Sequence, residues 1–500
     1  MDPILYWNAV ALEANKVDFS RDKPEGPEQG GPTLSSRALA IVHLAMYDAY
    51  AKTSGEGLNP YILSAPPPPP LLPPPSANTA AAAVAAAAHG TLSKLFPKQK
   101  AFFDQKHLEA GLTGTTAEIE GGHQFGLAVA QKLLADRKDD PGAGDDGYAY
   151  SMARYAHRPD PDSTDTGAHA PFYGAQFGTK YFLAKNKKML ANIKDHSVLS
   201  VTEYNAALKQ VRCKGIAPEL QGGLPANTVR TPEETVIGIY WGYDGAKNLG
   251  TPPRLYNQIV RKVAEAQGNS VAQNACLFAL VNGAMADAGV MAWEQKYAHN
   301  FWRPVVGIRE HDESMGPISN IDANALAANC DPGWLPLGAP NSNRMGKNGT
   351  PPFPAYPSGH ATFGAAAFQT TRLFYGFTAD GADTLFQGMT FVSDELNGKT
   401  KDNKGTTRTR HARGFARGLW DMIIENGRSR VFLGVHWVFD AFALQPDSDE
   451  PDLTRNIGGV PLGLNIAKDI YDNNLLSKQA AHPAVVASAT AQKKTVKNKR

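Results

Sequence analysis

Apolar residues recur at three- and four-residue steps along most of this 500-residue chain, and no stretch of useful length alternates with period two. In "SSRALAIVHLAMYDAYAK", Ala38, Ile41, Val42, Ala45 and Ala49 share one helical face. Comparable stripes recur near residues 80–96, 119–136, 202–212, 232–241, 254–267, 271–297, 361–375, 382–397 and 413–427. The pattern predicts a mainly α protein with long Pro- and Gly-rich loops. The loops include "SAPPPPPLLPPPS" (64–76), "RKDDPGAGDDG" (137–147) and the segments 150–178 and 318–357. The interruption "GIAPELQGGLPANT" suits a boundary between two bundles, residues 1–222 and 223–480. A basic tail, 481–500, ends in "QKKTVKNKR" and reads as disordered.

With 42% hydrophobic and 20% charged residues, the chain can bury a sizeable core without staples. Fifty basic against 48 acidic residues give a net charge of +2, so no global field recruits nucleic acid or an anionic membrane. The basic run "TKDNKGTTRTRHARGFAR" (400–417) reads as a solvated loop. Cys213, Cys276 and Cys330 are too few and too scattered for a disulfide framework or a thiolate metal site. The beginning "MDPILYWNAVALEANK" lacks the basic and apolar segments of a secretory leader. The long apolar run "CLFALVNGAMADAGVMAW" is interrupted by Asn282 and Asp287, which predicts a buried helix rather than a membrane span, hence a soluble protein.

Three segments carry chemistry. In "PPFPAYPSGHATFGAAAF" (351–368), prolines forbid a helix before Ser358, and an Ala-rich helix follows. A helix start presents unpartnered N–H groups and the positive end of its dipole, a natural seat for an oxyanion. Ser358 can cap or donate, Gly359 admits close approach to the backbone, and His360 can carry a proton. In "KYAHNFWRP", Lys296 and Arg303 lie seven residues apart, on one face if the helix continues, and Pro304 then ends it. In "SRVFLGVHWVFDAF", Arg430 and His436 flank Gly434, and Asp440 lies four residues beyond His436, where it can fix the imidazole tautomer and raise its basicity. Taken singly, these residues also suit a solvated face, an ordinary ion pair or a core histidine. Together they supply three cations, a hydroxyl, a glycine amide and two histidines, the donor set that a multiply charged tetrahedral oxyanion needs out of water.

In this order and spacing, Lys296 with Arg303–Pro304, Pro357–Ser358–Gly359–His360, and Ser429–Arg430 with His436 resemble the tripartite signature shared by vanadium-dependent haloperoxidases and type 2 phosphatidic acid phosphatases. The likeness extends to "YWNAVALEANKV", "HAPFYG", "YWGYDGAKNLGTPPRLYNQIVRKVA", "FWRPVVGIRE", "ELNG", "FLGVHWVFDA" and "IGGVPLGLNIA", which are similar to segments of the fungal vanadium chloroperoxidases. The chain is shorter than those enzymes, chiefly around 51–165 and 400–417.

The resemblance implies a fold of two four-helix bundles and a vanadate cofactor. It implies His436 as the nitrogen ligand of vanadium, and Lys296, Arg303, Ser358, Gly359 and Arg430 as holders of the oxygens. His360 would be the acid–base group and Asp244 the carboxylate that pairs with the site arginine. Trp293 and Phe353 would be the aromatic neighbours that go with chloride oxidation, where algal bromoperoxidases carry a histidine at the position of Phe353. The implied reaction joins hydrogen peroxide and chloride or bromide to give hypohalous acid. Removing His360 should then erase a pH limb near its ordinary pKa of roughly 6.5. Two other functions use the same residues. One is an acid phosphatase with His436 as phosphohistidine nucleophile, phosphate taking the place of vanadate. The other is a helical protein that binds an oxyanion without chemistry.

Overall fold

The structure, a computed structural model, describes residues 1–21, 25–62, 72–140, 148–162, 180–186, 193–309 and 331–473. The expected tail 481–500, Cys330, "HAPFYG" and most of the polyproline run lie outside them. Among the described residues the protein is mainly helical. Its helices are α1 Pro3–Asp18, α2 Gly31–Thr53, α3 Ala77–Leu95, α4 Lys100–Leu108, α5 Thr116–Asp136, α6 Val201–Lys214, α7 Pro232–Tyr240, α8 Pro252–Ala266, α9 Val271–His299, α10 Pro304–Arg309, α11 Gly359–Phe374, α12 Leu419–Phe432 and α13 Gly459–Asn473.

The apolar run that resembled a membrane span forms α9, whose most hydrophobic stretch is wholly buried in protein. At 29 residues it is about 43 Å long. Ser270 and Gln273 form a capping box at its start, and Asn300, in the left-handed region at φ 49°, ends it. α2, α8, α11 and α13 all pack on α9. The two polar interruptions in α9 are both satisfied. Asn282 and Asn257 of α8 exchange side-chain hydrogen bonds at 2.8 and 3.0 Å, and Asn8 of α1 extends the ladder to Asn257 and to His43 of α2. The Asp287 carboxylate accepts the backbone N–H groups of Phe182, Leu183 and Ala184. Buried amides without partners would each cost a few kcal/mol, so this ladder also sets how the four helices register.

Two sequence expectations fail locally. Residues 382–397 are not a helix: Gly388 at φ 72° turns the chain, and Thr390–Val392 forms strand β1, antiparallel to β2, Ala412–Gly414, with Thr390 opposite Gly414. Short-range turns and a triplet of two β-branched residues around Phe391 outweigh the helical spacing of the apolar residues there. The stripe at 413–427 becomes helical only at Leu419. There Asp383, distant in sequence, accepts the N–H groups of Leu419 and Trp420 and supplies the N-terminal cap. A second ribbon pairs β3, Ala443–Leu444, with β4, Pro451–Asp452. Helices α1, α4, α10 and α13 carry no stripe in the sequence reading. For α1 the signal was present, since Asp2 caps Ile4 and Leu5 and Pro3 follows at the first helical position.

Helix α13 braces the start of α11, and two glycines allow it. A Cβ on Gly459 would lie 2.5 Å from the Ser358 carbonyl oxygen, and one on Gly463 would lie 2.5 Å from that of Thr362. Gly463→Ala is therefore expected to force the two backbones apart and destabilise the protein by about 1–3 kcal/mol. A denaturant midpoint equal to that of the parent would show that the contact yields without cost.

Candidate active site

The chemistry-bearing residues arrive at the C-terminal end of α9 from five segments. Lys296 sits in the last turn of α9, fully buried, and its ammonium donates to the carbonyls of Pro354 (2.9 Å), Ala355 (2.9 Å) and Pro357 (2.6 Å). The helix stops at His299, so Arg303 does not share a helical face with Lys296, and Pro304 begins α10 instead of ending α9. Convergence comes from the extended linker. Hydrogen bonds from the His157 and Trp302 N–H groups to Asn300 and Tyr155, and from the Ala355 N–H to Phe301, pin that linker across residues 155–157 and 355. Arg303 Nε then donates to the Phe353 carbonyl at 2.9 Å, and Nη1 to the Val435 carbonyl and His436 Nε2, both at 2.8 Å.

Ser358 caps α11 by accepting the Ala361 N–H, and its own N–H donates to the Asp440 carbonyl. Gly359 begins the helix because Trp293 lies on it: a Cβ would stand 3.0 Å from the indole. Trp293 and Phe353 rings pack with centroids 4.8 Å apart, and Lys296 and Arg303 face the Phe353 ring at 5.2 and 5.0 Å. His360 Nε2 donates to the Gly242 carbonyl at 2.8 Å and lies 3.8 Å from Asp244. Asp244 takes the Arg430 guanidinium in a fork, at 2.8 and 3.3 Å.

His436 follows α12 by way of Gly434 at φ 72°, outside any α-helix, and a short turn at Val438–Asp440 returns Asp440 to it. Nδ1 lies 2.6 Å from Asp440 Oδ2. Because arginine can only donate, Nε2 is the acceptor and Nδ1 carries the proton. The expected rise in His436 basicity does not occur in the anion-free site. Burial, then the Arg303 and Lys296 charges, hold His436 well below its ordinary range. Burial also pushes Asp440 up to about 7, against Lys296 and Arg303. Lys296 is held well below its usual value by burial and then by Arg303, while burial takes Arg303 down to about 9.

Arg303 Nη2, Arg430 Nε and Trp293 Nε1 are buried donors without a hydrogen-bond partner. Donors on a buried guanidinium are costly to leave unpaired.

Comparison with known proteins gives the family. A model of the vanadium chloroperoxidase N-terminal domain matches residues 1–166, and one of the second helical-bundle domain of the same enzymes matches residues 276–445. The vanadium chloroperoxidase of Curvularia inaequalis is 34% identical over 572 aligned residues, covering 94% of this chain and 90% of that protein. The chain belongs to the vanadium chloroperoxidase family. Solved structures share its fold. A bacterial vanadium-dependent iodoperoxidase superposes with a TM-score of 0.62 at 16% identity, covering 94% of this chain and 96% of its own. A holo-type bacterial vanadium-dependent chloroperoxidase gives 0.59 at 16%, covering 91% and 94%.

Within this vanadium chloroperoxidase family member, a tetrahedral oxyanion is the group that the orphaned donors fit. Sequence reasoning missed the supports behind them. The Gly242 carbonyl that receives His360 carries no side-chain signature. Asn426 and Tyr256, which donate to the His360 carbonyl at 2.8 and 3.2 Å, come from α12 and α8.

His360 also departs from expectation. In the anion-free protein burial, and then the Arg430 charge, push it down to about 4, with Asp244 and the Gly242 carbonyl opposing. The unfolded chain takes that proton near pH 6.5, so between roughly 6.5 and 4 the unfolded state holds more protons. The stability that depends on neutral His360 is complete above pH 6.5 and is lost as pH falls. His360→Ala should flatten the acid limb of the vanadate-free melting profile, relieving a loss of about 3 kcal/mol by pH 4. Parallel profiles for parent and variant would contradict this assignment.

Proposed function

We propose that this chain is a vanadate-dependent haloperoxidase that uses hydrogen peroxide to oxidise chloride or bromide to hypohalous acid. The observation that carries the reading is the set of buried, unpartnered arginine and tryptophan donors around His436 in a chain of this family. His436 offers vanadate the Nε2 lone pair that it now presents to Arg303. Arg303, Arg430, Lys296, Ser358 and Gly359 hold the oxygens. Vanadate held there would supply Lewis-acid chemistry toward hydrogen peroxide.

The protein's own residues do the rest. Asp440 keeps the proton on His436 Nδ1 so that Nε2 stays a ligand. Lys296, anchored by three carbonyls, holds its Nζ at a fixed point of the cradle. His360 moves protons at the mouth of the cradle, and an anion there offsets the Arg430 charge and brings its pKa back toward the ordinary range. Trp293 and Phe353 wall the site against water. The same donors suit phosphate, which we expect in the cradle when vanadate is absent, with slow phosphomonoester hydrolysis through His436.

Two four-helix bundles, residues 1–222 and 223–480, remain our reading of the architecture, with α9 packing on helices of both. α2, α3 and α5 pack on one another, and α8, α12 and α13 surround α11, with α9 along the seam.

The primary assay is halogenation of an activated diketone after orthovanadate addition. Absence of turnover with both bromide and chloride across pH 4 to 8 would overturn the proposal. His436→Ala should abolish vanadate binding and turnover together. His360→Ala should keep vanadate, somewhat weakened, while bromide oxidation falls about a hundredfold or more. A His360 variant that halogenates normally, or one that loses vanadate as fully as His436→Ala, contradicts these roles. Phe353→His should favour bromide over chloride, because an imidazole adds a hydrogen bond and a charge that phenyl lacks. An unchanged halide ratio would remove the basis for chloride preference.

A further inference from the structure

The basic run 400–417 was expected to be a solvated loop, yet Arg408 turns inward from it. Its Nη1 lies 2.6 Å from Glu395 Oε2 and 2.7 Å from Ser342 Oγ, and Ser342 donates to the same carboxylate oxygen at 2.5 Å. Glu395 and Ser342 are both fully buried. The other carboxylate oxygen, Oε1, accepts the Tyr243 N–H at 3.1 Å.

Tyr243 precedes Asp244 and follows Gly242, the two residues that hold Arg430 and His360. It stands at φ 55°, a conformation that a bulky aromatic residue keeps only when its surroundings impose it. Three successive residues impose it here. Ser393 Oγ donates to the Tyr240 carbonyl at the end of α7 (2.7 Å), the Asp394 N–H donates to the Tyr243 hydroxyl (2.8 Å), and Glu395 takes the Tyr243 N–H. A Cβ on Gly242 would stand 2.7 Å from Glu395 Oε1, so the carboxylate lies directly against the turn.

We infer that Glu395, fixed by Arg408 and Ser342, is a positioning residue for the haloperoxidase site. It holds the 242–244 turn in the one shape that aims the Gly242 carbonyl at His360 and the Asp244 carboxylate at Arg430. This rests on the haloperoxidase reading above and extends it to a carboxylate that makes no contact with His360, Arg430 or the other residues of the oxyanion cradle.

The test uses the full chain, with vanadate affinity measured by equilibrium dialysis and metal analysis, apart from turnover. Glu395→Gln keeps the shape and removes the charge. It should weaken vanadate and lower kcat for bromide at saturating vanadate, each about tenfold or more, while the bromide KM moves less than about twofold. Arg408→Gln, changed at the loop end of the pair, should reproduce both losses. Arg408→Lys, which keeps the charge, should stay within about threefold of the parent. Asp140→Asn breaks a largely buried pair with Arg37 of α2 (2.6 Å), which touches no residue of the site, and should lower the melting temperature without moving either quantity.

Folded Glu395→Gln and Arg408→Gln proteins that both stay within about twofold of the parent would overturn the positioning role, as would equal losses in Asp140→Asn. A parent chain that neither binds vanadate nor oxidises bromide would instead overturn the haloperoxidase reading, and this inference with it.

Discussion

Lys296, Arg303 and Arg430 are buried together, and the carboxylates that face them among the described residues are Asp244 and Asp440. Charge placed out of water in this way is strongly unfavourable unless it is paired or otherwise solvated by the protein. Much of the surrounding architecture answers that demand. The 353–357 loop turns four carbonyls toward Lys296 and Arg303, and the Trp293–Phe353 pair offers its ring faces to the cations. Among the described residues, what remains unanswered here is the donor capacity of the two guanidinium groups and one indole, against one unpartnered oxygen of Asp440, a balance that suits an oxyanion.

Holding this constellation requires rigid ends, not rigid middles. Lys296 lies at the end of α9, His360 at the start of α11, and Arg430 at the end of α12. The helices fix those ends by packing on one another. α9 is apolar nearly all round and is registered by the asparagine ladder, while α13 approaches α11 closely enough that glycine is required at two positions. The connecting segments that bring Arg303, His436 and Asp244 inward are irregular, and each is tied by backbone hydrogen bonds or by a buried side chain such as Glu395. Burial has a chemical consequence as well. Desolvation in the assembled fold lowers the pKa of both His360 and His436, which favours their neutral forms.

The sequence by itself determined the helical class, the order of the site motifs, and the start of α11 at Ser358, because these depend on residues within a turn or two of one another. It also determined the donor set, since residue identity and spacing alone show three cations and two histidines at the edges of helical segments. The tertiary structure decided the rest. Arg303 reaches Lys296 after the helix has ended, through a linker held by residues 155–157, and no helical spacing encodes that. Asp244 meets Arg430, and Glu395 meets Arg408, across long loops whose partners have no local signature. The helix expected at 382–397 gave way to turns and a short strand whose pairing partner, β2, lies beyond the segment. The protonation of His360 and His436 follows from how much water the assembled fold removes around them, a quantity set by distant neighbours rather than by the residues beside them in the chain.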